Sequence, residues 1–489
     1  MQNDELPLTE VVDSDRFARA FEKHGVDFGD EEGVVYTPAI TLWALVSQTF
    51  FAGAQRSCKA AVLQRGCVAT RLCCNAAVLR VASLWATRGR TVCDTNTGAY
   101  CRARKKIPFE LVRDITRQIA HDAEAGVSHT GVSHTVVDED PDVNLSSRVV
   151  KEVRVHANGR RVLLLDGFTI TAEDTPENQE EYPQNPVQKA GLGFPILRCV
   201  TLISLYTGLL FDVAYGPYSG KETGETALMR QLLNALRPGD ILLADCYLCT
   251  YWLIAACRQR GVHIVMKNHY QREDHPADAI RLREGERLVT WTLPARPSWM
   301  SKEEYKQQPA TLELRLIDVN VHRNGFRPSQ FTVTTTMTDD EQYSGNWIRS
   351  IYESRWLVEL DIRSIKCSLN MDILRAKTPA MVRTELWSCL LAYNLIRLKM
   401  LQSCAVSGRD PRSVSFTTTM QLLATNWLLC AVVGVTSELA ALGQEVPISQ
   451  QVGQRDGRTE PRVNKRRPKV LALMQKPRHQ LRKELKAAA

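Results

Sequence analysis

Residues 224–245 read GETALMRQLLNALRPGDILLAD, and three local rules succeed one another within them. Leu228, Leu232 and Leu236 recur every four residues, the spacing of one helical face. Arg237-Pro238-Gly239-Asp240 then stops the helix, because proline and glycine favour a turn. Ile241–Ala244 is a wholly apolar strand that closes on Asp245. Upstream, RVLLLDG (161–167) repeats the pattern and closes on Asp166. Between them, FPILRCVTLISLYTGLLFDVAYGP (194–217) reads as two strands joined at Thr207–Gly208. Beyond Asp245, YWLIAACRQRG (251–261) reads as a helix and VHIVMKN (262–268) as a strand. Strands alternating with helices predict an α/β layer, whose strand ends are where ligand-binding groups collect.

The flanks differ in character. From Thr37 to about Ala123 the pattern is helical, broken by DTNTGAYCRARKKIP, which sets Arg102, Arg104, Lys105 and Lys106 close together. That group can meet DNA phosphates or can simply be a solvated patch. Residues 125–150 contain a repeated GVSHT and an acidic run, the composition of a linker. Residues 270–338 turn to Thr- and Val-rich alternation (ERLVTWTLP, TLELRLIDVNVHR, QFTVTTTMTD), as in a β-rich insertion that returns to the main sheet. Helical patterns follow.

The 489 residues suggest two to four domains, and 44% hydrophobic with 24% charged residues is ordinary globular composition. Net charge is +8, yet residues 451–489 hold 12 Lys or Arg against 3 Asp or Glu, so the tail accounts for all of it. A cationic tail on a near-neutral body suits a polyanion partner, or keeps a terminus soluble. The acidic start MQNDELPLTEVVDSD has no leader pattern, and no apolar run reaches the ~18 residues of a membrane span. A soluble, cytoplasmic chain with no membrane partner is expected. Of 14 cysteines only Cys246 and Cys249 form a C-x2-C pair, so reduced thiols are expected rather than zinc.

Tyr352–Lys366 reads YESRWLVELDIRSIK. In an ideal helix Tyr352, Arg355, Glu359 and Lys366 fall within about 60° of one another. The plain reading is an Arg355–Glu359 surface pair. The other joins Glu359 to Asp166 and Asp245: three hard oxygen ligands able to hold two Mg2+ ions, with Mn2+ able to substitute, beside a phosphodiester. Tyr352, Arg355 and Lys366 would then meet the nucleic-acid backbone. Each aspartate alone is equally well an exposed turn opener.

The Y-x2-R-x3-E-x6-K pattern resembles the signature of the IS-four insertion-sequence transposases, of the DDE class. TGAYCRARKKIP, LLLDGFTITAEDTPENQEEYPQNPVQKAGLGFPILR, GKETGETALMRQLLNALRPGDILLADCYLCTYWLI, TVTTTMTD, LAYNLIRLKM and KRRPK are similar to family blocks in the same order, over roughly residues 38–480. The resemblance implies an RNase H-like catalytic core with a β-rich insertion, behind an α-helical N-terminal domain and ahead of a helical, basic C-terminal region. On this map residues 1–124 bind the DNA end, 151–269 and 331–400 form the core, 270–330 the insertion and 401–489 the C-terminal region. It implies metal binding and catalysis by Asp166, Asp245 and Glu359, and DNA contacts from Tyr352, Arg355 and Lys366. It further implies terminal repeats and target DNA as double-stranded partners, a homodimeric synaptic complex, cut-and-paste transposition and association with the nucleoid. A tryptophan of the insertion that stacks on a flipped base is also implied, Trp291 or Trp299 here, with core packing as the competing reading. Cys246 stands where the family usually has arginine. A two-metal nuclease without strand transfer, or a non-catalytic DNA-binding repressor, is the alternative.

Overall fold

The strand-forming runs join in one mixed sheet in a computed structural model that describes residues 14–29, 34–50, 68–87, 94–129, 160–321, 329–407, 409–433, 445 and 474–487. Its strands are β1 (Val162–Thr171), β2 (Ile196–Ser204), β3 (Leu210–Pro217), β4 (Ile241–Ala244), β5 (His263–Lys267), β6 (Ile280–Arg283), β7 (Glu286–Thr292), β8 (Thr311–Val321) and β9 (Ser329–Thr335). They lie in the order β3-β2-β1-β4-β5-β9-β8-β7-β6. β1, β4 and β5 run parallel, with Val162 opposite Ile241 and Ile241 opposite His263. β9 joins β5 antiparallel, and every later pairing is antiparallel.

This arrangement follows from the two kinds of strand. Leu163–Leu165 and Ile241–Ala244 are wholly buried, as a parallel strand covered on both faces requires. β8 instead alternates at its start, burying Leu312 and Leu314 between exposed Thr311 and Glu313, and is buried on both faces from Leu314 to Ile317. The β-rich segment therefore extends the main sheet. One expectation is corrected here: β1 does not close on Asp166. Its pairing with β4 covers only Val162–Leu164, but the strand continues to Thr171.

Among the described residues the helices are α1 (Ser14–Lys23), α2 (Pro38–Phe50), α3 (Val68–Thr87), α4 (Thr97–Lys105), α5 (Phe109–His129), α6 (Pro176–Glu181), α7 (Glu225–Leu232), α8 (Tyr251–Gln259), α9 (Lys302–Lys306), α10 (Gly345–Glu353), α11 (Leu357–Arg363), α12 (Pro379–Ser407), α13 (Phe416–Val433) and α14 (Arg478–Ala487). No helix among them is long and apolar enough to cross a membrane.

The chain divides into two compact units. The first comprises 1–159, 201–213 and 356–452. There α5 packs along α12, and Ile115, Ile119, Leu386, Trp387 and Leu390 are buried. Asn394 on α12 ties this core together, accepting from Leu210 N–H and donating to the carbonyls of Thr116 and Leu210. The turn at Thr207–Gly208 forms as expected, with Gly208 at φ +71° and its carbonyl accepting from the Tyr393 hydroxyl. The second unit comprises 160–200, 214–355 and 453–489 and carries most of the sheet. The proposed linker beyond residue 129, and the basic tail apart from 474–487, lie outside the described residues.

Candidate catalytic and DNA-contacting site

In the second unit, α7, the middle of β1 and the end of β4 set three carboxylates within electrostatic reach of one another. Asp166 is half-buried where β1 parts from β4; its Oδ1 accepts the Gly167 N–H at 2.8 Å. Asp245 follows β4 and caps a short 3-10 turn, Cys246–Leu248, accepting from the N–H groups of Tyr247 (3.1 Å) and Leu248 (3.2 Å). A capping role restrains the carboxylate without neutralising it.

The third carboxylate, Glu225, was not singled out by the sequence reading. It opens α7, and its side chain lies against Gly167: a Cβ added there would overlap the Glu225 carboxylate. Burial raises the Glu225 pKa, and the negative charges of Asp245 and then Asp166 raise it further. Its signal was present in GKETGETALMRQ, where an acidic residue starts a helix feeding the Asp245 strand, but an acid at a helix start is ordinary.

Arg355 lies across from this group, its Nη1 3.6 Å from Asp166 Oδ2. Two residues before Arg355 the helix changes form. α10 ends at Glu353, a 3-10 turn spans Ser354–Trp356, α11 follows, and a π turn covers Ser364–Ser368. The ideal spacing of 100° per residue fails across these changes. Tyr352 accordingly does not share an open face with Arg355. It is 7% exposed, its ring packs on Phe331 at 5.6 Å, and burial holds its hydroxyl far above the usual phenol range.

Glu359 and Lys366 belong to the first unit; Glu359 is exposed and Lys366 half-buried. Asp361, two residues along, is wholly buried between Arg397 and Arg412, and Arg412 Nη1 donates to both its oxygens at 2.7 and 2.9 Å. Its charge is consumed inside the fold.

The basic group of α4 also divides. Arg102 is exposed, and Lys106 is exposed with its ammonium 5.0 Å from the Phe28 ring. Arg104 turns inward, Nη1 3.4 Å from Cys74 Sγ, and with Lys105, Arg375 and Glu385 lines a cavity of about 400 Å3 within the first unit. Arg104 is thus set apart from the exposed Arg102, Lys105 and Lys106.

Asp166, Asp245 and Glu225 offer only hard oxygen donors, the set suited to a divalent cation such as Mg2+. Their mutual repulsion is the kind a cation relieves. Among the described residues, no three His, Cys, Asp or Glu side chains close around a single point.

Residues 157–395 match the family model described as Transposase DDE domain. The chain is 28% identical over 324 residues to the Escherichia coli (strain K12) Transposase InsG for insertion sequence element IS4, covering 64% of this chain and 69% of that one. It is 27% identical over 114 residues to the Escherichia coli Transposase for insertion sequence element IS421, covering 22% of this chain and 28% of that one. A piggyBac transposase synaptic complex with hairpin DNA, solved by cryo-EM, aligns over 91% of this chain and 85% of that one at 9% identity and TM-score 0.39. That likeness is too distant to decide fold or partner.

Proposed function

The chain belongs to the DDE transposases of the IS4 family, enzymes that cleave and join DNA, and from that premise we propose that Asp166, Asp245 and Glu359 are its catalytic carboxylates. The family uses divalent metal ions, and two Mg2+ are the proposed occupants, which Asp166, Asp245 and Glu359 would hold. The observation that carries the reading is the placement of Asp166 and Asp245 in one unit, on neighbouring parallel strands just beyond the last paired residues, inside the matched segment, with both charges acting on Glu225. The mixed sheet, parallel at β1, β4 and β5 and antiparallel beyond, suits an RNase H-like core. Glu359 is taken from the family signature, four residues after Arg355.

Bound Mg2+ would supply an activated water or 3′-hydroxyl and stabilise the leaving oxygen. The chain's own residues set the stage for that chemistry. Capping of the 3-10 turn fixes the direction of the Asp245 carboxylate. The Gly167 N–H holds Asp166, and Glu225 adds negative charge to the pair. Arg355 can fork onto a DNA phosphate once it leaves Asp166, and Lys366 offers a second point charge. Tyr352 stays as a proposed DNA contact from the family signature, its ring seating the Arg355 turn on Phe331. Arg102, Lys105 and Lys106 are proposed phosphate contacts, with Arg104 holding the helix that carries them. The substrates proposed are the element's double-stranded terminal repeats and target DNA, held by a homodimer during cut-and-paste transposition near the nucleoid.

The test is cleavage and joining of a labelled duplex taken from the natural DNA flanking the gene, with Mg2+, comparing the native chain with Glu359→Gln. Metal-dependent nicking and strand transfer that vanish in the variant while DNA binding persists support the triad. Nicking without strand transfer points to a nuclease of the same fold. Unchanged activity in the variant removes Glu359 from the triad.

A further inference from the structure

Of the two tryptophans of the insertion, Trp291 is buried and Trp299 is partly open, each with an arginine over its ring. Trp291 is 8% exposed, with the Arg272 guanidinium 3.5 Å from its ring centroid. Trp299 carries Arg230 at 4.0 Å from its centroid and meets Trp252 edge-on at 6.2 Å. A nucleobase would have to displace Arg272 to stack on Trp291, and on Trp299 it would compete with Arg230.

Open aromatic surface occurs elsewhere in the second unit, beside Asp245. Tyr247 is 62% exposed and Tyr270 70%. Their centroids are 6.3 Å apart at 69°, and Tyr247 stands edge-on to His269 at 6.4 Å. His269 and Tyr270 stack at 4.4 Å and 29°. The cluster is anchored from both sides. At one end the Tyr247 N–H bonds to the Asp245 carboxylate. At the other, buried Asn268 accepts from the Thr334 hydroxyl and donates to Asp274, and His269 Nδ1 accepts the Gln271 N–H. Three held rings with two broadly exposed are more apolar surface than a solvated loop needs, and such patches mark binding sites.

We infer that Tyr247, His269 and Tyr270 form a stacking surface for an unpaired nucleobase of the DNA strand held at the Asp166–Asp245 site. The occupant follows from the surroundings. The cluster begins two residues beyond a proposed catalytic aspartate of a DNA-cleaving enzyme, and Lys267, just ahead of His269, is exposed. A base paired within a duplex has both faces covered, so only a base outside the stack can offer a face to a tyrosine. The surface thus selects DNA that is frayed or flipped beside the scissile phosphate. This rests on the reading of Asp245 given above.

The experiment uses the full chain in EDTA, so that no cleavage intervenes. Two duplexes of the flanking sequence are compared, one fully paired and one with two unpaired nucleotides at the element boundary, with 2-aminopurine at one unpaired position. The native chain is expected to bind the unpaired duplex roughly tenfold more tightly and to quench the 2-aminopurine, given the worth of one base–aromatic stack. Tyr247→Ala with Tyr270→Ala should lose preference and quenching but keep its affinity for the paired duplex and its melting temperature. Tyr247→Phe with Tyr270→Phe should keep both. Equal affinity of the native chain for the two duplexes, or a preference that survives the double alanine variant, overturns the stacking surface alone. No binding to either duplex overturns the DNA-site reading with it.

Discussion

Glu359 and Asp361 stand two residues apart on α11, about 200° around the helix, and their surroundings differ accordingly. Glu359 is exposed, whereas Asp361 is sealed between two arginines. Glu359→Gln should abolish cleavage and leave the melting temperature unchanged. Asp361→Ala should cost about 3–5 kcal/mol of stability, because it leaves two buried guanidiniums without their carboxylate. Denaturant unfolding of both variants checks this; equal stability would show that the arginines find other partners. Glu225 invites a second test. Without divalent cations Glu225→Gln should melt higher than the native chain, since one of three crowded charges is gone. Its further rise on adding Mg2+ should be smaller. An unchanged Mg2+ response would leave Glu225 outside the cation's reach.

The element that matters most is the helical run from Gly345 to Ser368. Ser344 caps its start by accepting the Trp347 N–H. Gly345 is required there because a Cβ would overlap the Glu286 carboxylate. That carboxylate is buried and paired with Arg315, and Arg349 Nη2 lies 3.2 Å from it, so it cannot swing aside. Gly345→Ala should therefore destabilise by about 3 kcal/mol, the scale of disturbing a buried ion pair. Gly167→Ala meets a flexible, half-buried glutamate instead and should cost less stability than activity. Unfolding curves and the cleavage assay on the two variants separate these outcomes. The run was recognisable as a helix from its sequence, but its 3-10 and π interruptions were not. Across them Tyr352 packs on Phe331 and Asp361 pairs with Arg397 on α12, contacts with distant residues that local spacing does not carry.

For the molecule as a whole, pH reports on one half-buried histidine. Burial, and then the nearby Arg160 charge, lower the His263 pKa. The native state therefore binds fewer protons than the unfolded chain, whose histidine keeps its ordinary value of about 6.5. The associated stability is present above that value and is lost as pH falls through it toward the folded value. Melting temperatures measured from pH 7.5 down to 5 should fall, and less steeply for His263→Gln. Identical slopes would assign the fall to other groups. The alternating strands and helices, the turn at Thr207–Gly208, Asp245 at the end of its strand and the family blocks were readable in order along the chain, whereas the continuation of β1 past Asp166 was not. Apolar periodicity, turn residues and a carboxylate after a buried run act over a few residues, so sequence alone determines them. Tertiary structure alone decided that Glu225 joins Asp166 and Asp245, that Asp361 is consumed, that Arg104 turns inward, and that tyrosines rather than tryptophans lie open beside Asp245. Each of those outcomes depends on which distant side chain removes water from a group or neutralises its charge, and no local spacing specifies that partner.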